Sequence, residues 1–412
     1  MSSMIYQLWQ AQQDFQLPFR MFAESAGRVL KELEPVAAAM PLAAPFIRRT
    51  SAALDLVANA RTTHTRPGYD FTTVCVGNRE VEVTEEPVLE TPFGTLLRFA
   101  KDTSVQQPRV LVVAPMSGHF STLLRGTVEV LLPDHDVYIT DWANARDVPL
   151  SAGEFGFDDF TAHVIRFLEV LGPGSHVVAV CQPVPATLAA VSIMSEDRNR
   201  ATPATMTLMA GPVDTRISPT KVNELAQSKP IEWFERNLID KVPMRYAGAG
   251  REVYPGAVQL QAFMSMNLQR HVRAHRNQFA NIVAGNTEAQ AAHRRFYDEY
   301  FAVMDLPAEY FIQTVKRIFQ DHDLPRGELT YRGRAVRPEV IRKTALLAVE
   351  GERDDICAIG QTMAALDLCP NIPLAKRQYH LQTGVGHYGV FAGKRWANEV
   401  YPKVRAMIEA NS

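Results

Sequence analysis

Three rhythms of apolar and polar positions divide the chain. Between residues 5 and 33, Ile5, Leu8, Trp9, Phe15, Phe19, Phe22, Val29 and Leu30 recur at loosely helical spacing among polar neighbours. Pro18 interrupts this stretch, and proline removes a helix hydrogen bond, so a bend or a division is expected there. Such an amphipathic helix packs on the main domain or lies on a hydrophobic surface. From 71 to 100 the pattern changes to strict alternation. Arg79-Glu80-Val81-Glu82-Val83 and Thr95-Leu96-Leu97-Arg98-Phe99 flank the turn residues Pro92-Phe93-Gly94, which predicts antiparallel strands.

The third rhythm is solid apolar runs alternating with helical patterns. Val110–Val113, His135–Thr140, Val177–Val180 and Thr205–Met209 read as buried strands. Helices are expected over Ser121–Leu132, Asp158–Leu171 and Pro185–Met194 between and after them. The alternation stops near Ser218 and resumes at Thr344–Val349, followed by a strand near Gln378–Leu381 and a helix from Lys394 to about Ala410. The pattern predicts an α/β fold with a mostly parallel central sheet. The intervening stretch is rich in aromatics, among them Trp233, Tyr246, Tyr254, Phe296, Tyr300 and Phe311, and in helix formers. A structureless loop of that length is implausible, so it reads as a mainly helical inserted cap. The resulting division is 1–70 as a helical extension, 71–217 as the first part of the core, 218–340 as the cap and 341–412 as the second part of the core.

Composition narrows the function. The chain has 412 residues and a formal net charge of -2. Without an excess of Lys and Arg, a general nucleic-acid binder is excluded. The four cysteines, Cys75, Cys181, Cys357 and Cys369, have no zinc-like or disulfide-framework spacing, which suits a reducing compartment. No metal or resident cofactor is expected. The N-terminus lacks a basic segment before an apolar one. The apolar stretches Pro35–Ile47 and Val177–Met194 contain prolines and are poor spanning helices. A cytoplasmic protein without a transmembrane segment is therefore expected, with homo-oligomerisation left open.

Candidate chemistry begins at Cys181. It ends the buried run Val177–Val180 and precedes a helix, so a sharp turn there would lift its side chain clear of the sheet beside a helix N-terminus. The competing reading is an inert buried cysteine. Two further placements favour reactivity. Glu350-Gly351-Glu352-Arg353-Asp354-Asp355-Ile356 follows the late strand, and Thr383-Gly384-Val385-Gly386-His387-Tyr388-Gly389 follows the last. Nucleophile, acid and histidine in that order, each after a strand, is the arrangement of α/β-hydrolases. Asp354 is favoured as the acid from the phrasing Asp354-Asp355-Ile356, with Asp355 as the alternate. The elbow departs from G-x-S-x-G, reading Ala179-Val180-Cys181-Gln182-Pro183. The backbone N–H of Gln182 survives as an oxyanion donor, and a second is expected near Met116 in the loop Ala114–His119. Ser117 and His119 in that loop form a weaker alternative pair.

The phrases VLVVAPMSGHFSTLLRGTVEVLLPDHDVYITDW, VVAVCQP, MAGPVDTRISPTKVN, EGERDDI and TGVGHYGVF, with the start MIYQLWQAQQDF, resemble the intracellular polyhydroxybutyrate depolymerases over nearly the whole chain. The resemblance implies an α/β-hydrolase with a Cys-Asp-His triad at Cys181, Asp354 and His387. It also implies a polyester storage-granule surface as partner. Because the acyl-enzyme would be a thioester, coenzyme A could serve as acyl acceptor in place of water. The alternatives are a polyhydroxyalkanoate synthase-like acyltransferase, whose cysteine motif typically carries glycines where this chain has Ala179 and Pro183, and a non-catalytic granule-binding protein.

Overall fold

The computed structural model describes residues 3–37, 40, 43–266 and 268–412. Residues 38, 39, 41 and 42 of the apolar Pro35–Ile47 stretch thus lie outside the described residues. Nine strands form the central sheet: β1 (Thr73–Val76), β2 (Arg79–Thr91), β3 (Gly94–Lys101), β4 (Arg109–Val113), β5 (Asp136–Trp142), β6 (His176–Val180), β7 (Thr205–Met209), β8 (Ala345–Gly351) and β9 (Arg377–Gln382). Their order across the sheet is β1-β2-β3-β5-β4-β6-β7-β8-β9. β1, β2 and β3 pair antiparallel, as does β3 with β5, and every pairing from β5 to β9 is parallel.

The burial of each strand follows from its neighbours. β6, β7 and β8 lie between other strands and beneath helices, and every one of their residues is buried, which is why they read as unbroken apolar runs. β2 lies near the sheet edge and buries little beyond Val81 and Val83, in alternation with exposed neighbours. Parallel register brings the strand ends into line: Val113 sits opposite Ala179, Val180 opposite Met209, and Gly351 opposite Gln382. The loops that follow β4, β6, β8 and β9 therefore emerge along one edge. The chain order reverses between β4 and β6, and such a switch point opens a crevice at the carboxyl ends of the strands.

Several helices differ in detail from the sequence pattern. The predicted Ser121–Leu132 helix starts as a 3₁₀ turn over Ser121–Leu124 before the α-helix Arg125–Leu131. The predicted C-terminal helix is divided into Gly393–Arg395, a π-helical Trp396–Val400 and Tyr401–Glu409. Between β7 and β8 the chain forms helices including Gly256–Met266, Leu268–Ala284 and Thr287–Tyr300. It also makes a small sheet of Asp240–Lys241, Glu252–Tyr254 and Leu306–Pro307 that the pattern did not announce. Among the described residues no helix is long and apolar enough to cross a membrane.

The N-terminal segment is not divided at Pro18. Helix α1 (Ser3–Ala37) runs undivided through Pro18 and packs along α2 (Ala43–Asn59). Pro18 is exposed, so water can serve the carbonyl that its missing N–H leaves over. The anchor of α1 is polar. The Tyr6 backbone N–H donates to Asp240 Oδ2 at 2.9 Å, and its hydroxyl donates to Asp305 Oδ2 at 2.8 Å. Fully buried Asp305 also accepts the Gly256 N–H at 2.9 Å and approaches His64 Nε2 at 3.4 Å. Burial pushes the Asp305 carboxyl up, but His64, the Gly256 N–H and Tyr6 together bring it below its ordinary range.

Tyr6→Phe removes one donor from a buried carboxylate, so we expect a loss of about 1–3 kcal/mol from the contact. A lower Tm and faster proteolytic cutting within α1 would be the signature; an unchanged digestion pattern would show that α1 is held by other contacts.

Candidate active site

Cys181 stands immediately after β6 and before α5 (Val184–Glu196), with its backbone in the left-handed region at φ 66°. A non-glycine residue there costs about 1–3 kcal/mol and persists only when its surroundings fix it. They do so here. The Cys181 N–H donates to Met209 O at 2.8 Å, and the Val184 N–H donates to Cys181 O at 3.2 Å. Gly211, just past β7, lies against the turn. A Cβ on it would stand 2.2 Å from Val184 Cβ and 2.7 Å from Cys181 O, so this position requires glycine. Pro183 fits the start of α5, where an N–H would have no helical acceptor.

His387 follows β9 on the glycine-bracketed loop, buried, with Gly386 preceding its 3₁₀ turn. Its Nδ1–H donates to Asp354 Oδ2 at 2.8 Å. The Cys181 side chain lies near the imidazole and acts on it electrostatically. Asp354 Oδ1 accepts the N–H groups of Ile356 and Cys357 at 2.9 and 2.8 Å, which fixes the carboxylate's orientation. Asp355 points elsewhere: it is exposed and lines the neighbouring cleft. Burial pushes the His387 imidazole down. The charge of Asp354, the nearby Cys181 and the hydrogen bond to Asp354 outweigh burial and hold it well above the ordinary imidazole value. Cys181, Asp354 and His387 are thus brought together, with His387 hydrogen-bonded to Asp354 and near Cys181.

Buried Glu350, at the end of β8, is a residue that the sequence reading passed over. Its carboxylate accepts the N–H groups of Gly360, Thr362 and Met363 at 2.8, 2.7 and 2.9 Å, and the Tyr379 hydroxyl at 2.8 Å. Thr362 in turn clamps Gly211: its hydroxyl accepts the Gly211 N–H at 2.8 Å and donates to Gly211 O at 3.0 Å. A lone carboxylate ending the apolar run Ala345–Val349 was the available signal, because such a group must find donors.

The loop after β4 lies beside the elbow. The Ala114 N–H donates to Thr140 Oγ1 and its carbonyl accepts Trp142 Nε1–H, while Gly118 O accepts the Met304 N–H. The Met116 N–H faces the elbow, but it donates to the Gln182 side-chain Oε1 at 2.9 Å. Ser117 and His119 do not form a second pair. His119 is buried, its Nε2 meets Tyr300 O at 3.1 Å, and burial lowers its pKa to about 4.

A cleft of about 280 Å³ adjoins His387. Phe296, Tyr297, Tyr300 and Tyr388 give it aromatic walls, with Arg270 and Asp355 as charged groups. Some of the predicted aromatics therefore face a cavity, whereas Phe234, Tyr254 and Tyr310 are packed in the interior. The four cysteines are free thiols, and among the described residues no cluster of three or more His, Cys, Asp or Glu could hold a metal ion.

The raised His387 value has a definite pH consequence. Its contribution to stability is complete below the unfolded imidazole value of about 6.5 and is lost as pH rises through the higher native value. The Tm gap between the wild type and Asp354→Asn should accordingly be widest near pH ~6 and narrow in the alkaline range. A gap that stays constant into alkali would mean that the pair carries no imidazolium.

Comparison with solved structures finds distant likenesses. A putative lipase from Acinetobacter baumannii is 12% identical with a TM-score of 0.43, over 80% of this chain and 93% of its own. A thioesterase domain from the curacin biosynthetic pathway is 11% identical with a TM-score of 0.43, over 79% and 99%. A thermophilic esterase from Thermogutta terrifontis is 13% identical with a TM-score of 0.39, over 82% and 97%. No curated protein matches the chain. Residues 210–412 match the family described as PHB de-polymerase C-terminus. That match covers the later part of a chain whose sheet order and elbow are those of an α/β-hydrolase.

Proposed function

We propose that this α/β-hydrolase depolymerises poly(3-hydroxybutyrate) through Cys181, at the granule surface in the cytoplasm. The observation that carries the reading is the left-handed Cys181 at the elbow, close to a histidine whose Nδ1 is tied to buried Asp354. The family match over residues 210–412 and the resemblance of the sequence phrases support this choice of substrate. The apolar walls of the cleft beside His387 suit an uncharged aliphatic polyester.

In this mechanism the Cys181 proton rests on His387, whose imidazolium Asp354 stabilises. The thiolate attacks the ester carbonyl. The Gln182 N–H and, once exposed, the Met116 N–H take the oxyanion. His387 returns its proton to the departing alkoxide, which leaves as the free hydroxyl end. Water deprotonated by His387 then cleaves the thioester to 3-hydroxybutyrate or a short oligomer. A thioester passes its acyl group to another thiol at little free-energy cost. Coenzyme A as acceptor would therefore give 3-hydroxybutyryl-CoA.

The granule-facing surface in this reading is α1. Leu8, Phe15, Phe19, Met21 and Phe22 are each at least 60% exposed. Phe15, Phe19 and Phe22 share one face by helical spacing.

Two experiments test these points. Native amorphous granules incubated with the wild type should release product, as free acid alone or as acyl-CoA when CoA is present. Cys181→Ala should release none while keeping its Tm, and turnover by that variant would overturn the mechanism. The triple change Phe15→Ser, Phe19→Ser, Phe22→Ser should reduce co-sedimentation with granules by about tenfold or more, since each ring forfeits its burial. Its activity on a soluble short ester should remain; unchanged sedimentation would remove α1 from the granule contact.

A further inference from the structure

The hydrogen bond from Met116 to the Gln182 side chain occupies a group that the proposed reaction needs. Met116 N–H and Gln182 N–H lie in the two loops that border the thiol, the usual sources of oxyanion donors in this topology. Among the described residues no acceptor takes the Gln182 N–H, whereas the Met116 N–H is bonded at 2.9 Å by an amide carbonyl oxygen. That oxygen is sp², neutral and a single-point acceptor, the same chemistry as an ester carbonyl. We infer that the Gln182 side chain is a built-in stand-in for the substrate carbonyl, which every incoming ester must displace from the Met116 N–H. The inference rests on the acyl-transfer reading of Cys181.

The question of which partner moves is answered by the packing. Met116 is fully buried, and its loop is fixed at Ala114 by Thr140 and Trp142 and at Gly118 by Met304. Gln182 is only half-buried, and its side chain is unbranched with three rotatable torsions. No second hydrogen bond holds its amide among the described residues. The loop therefore stays and the amide swings. Its backbone N–H is unaffected by that rotation, because the elbow conformation is fixed separately at Cys181 and Gly211.

The cover has a physical use. An N–H kept inward for the reaction is costly when it has no acceptor and is shielded from water. The amide satisfies it between turnovers. A covering group that competes with substrate reduces the fraction of binding-competent enzyme, so it raises KM and leaves the bound complex, and hence kcat, unaltered. Gln182 is a positioning residue in this scheme, acting through the Met116 donor.

The test uses 4-nitrophenyl butyrate and the full chain. Gln182→Ala, which removes the competing oxygen, should lower KM by about three- to tenfold, the weight of one neutral hydrogen bond. Gln182→Met keeps the reach without the carbonyl and should behave alike, which guards against a packing defect in the alanine variant. Gln182→Glu offers a stronger charged acceptor and should raise KM at neutral pH. Unchanged KM in both the alanine and methionine variants would overturn the inference. So would a fall in kcat in both, since the amide would then act in the chemical step. Failure of the underlying acyl-transfer reading looks different: the wild type itself would leave the ester intact and Cys181 would resist a thiol-reactive ester probe.

Discussion

The left-handed backbone of Cys181 is the constraint from which the rest of the site follows. At φ 66° the side chain rises off the end of β6, and the strain of holding a non-glycine residue there must be met by neighbours. Those neighbours form one connected set. Gly211 makes room beside the turn, the Thr362 hydroxyl grips both its backbone groups, and Glu350 grips the Thr362 N–H. Glu350 ends β8, the strand that leads to Asp354. The Cys181 turn and the Asp354 loop are therefore positioned by the same buried network, although they follow strands separated by β7.

Two buried carboxylates divide the work in that network. Glu350 receives four donors, which is enough to offset the desolvation of a charge and leaves nothing for chemistry. Asp354 receives two backbone N–H groups on one oxygen and gives the other to His387. The first arrangement is a latch, and the second orients and charges an imidazole. His387 is buried and still held above its ordinary pKa because the charge of Asp354 and the nearby Cys181 outweigh burial.

The sequence was legible where burial alone dictates residue choice. β6, β7 and β8 are buried throughout, so their apolar runs gave the parallel core, and register then carried Cys181, Asp354 and His387 to one edge. Even the choice between two adjacent aspartates had a local cause: Asp354 accepts the N–H groups two and three residues ahead, a turn that needs its side chain folded back. What was not legible depended on contacts between distant segments. Asp305 joins Tyr6, His64 and Gly256, and no periodicity marks it. The amide of Gln182 was read only for its backbone N–H, because the side chain's partner, Met116, belongs to another strand's loop. Ser117 and His119 looked like a catalytic pair by proximity in sequence, yet the histidine is buried against Tyr300 O.

The N-terminal helix inverts the usual arrangement of an amphipathic helix. Such a helix ordinarily turns its apolar stripe to the core and its polar face to water. Here the attachment near its start is polar, through Tyr6 to Asp240 and Asp305, while Phe15, Phe19 and Phe22 are outward. A polar anchor is specific in place and direction, so it fixes the helix without consuming its aromatic face. Exposed aromatic surface of this extent is unfavourable in water and tends to find an apolar partner. Under the proposed function a neutral, hydrophobic polyester would be such a partner, and a near-neutral chain would meet it without electrostatic opposition. The same proposal links the helix to the cleft beside His387. Both would offer apolar surface to one polymer, the helix to its bulk and the cleft to the segment to be cut.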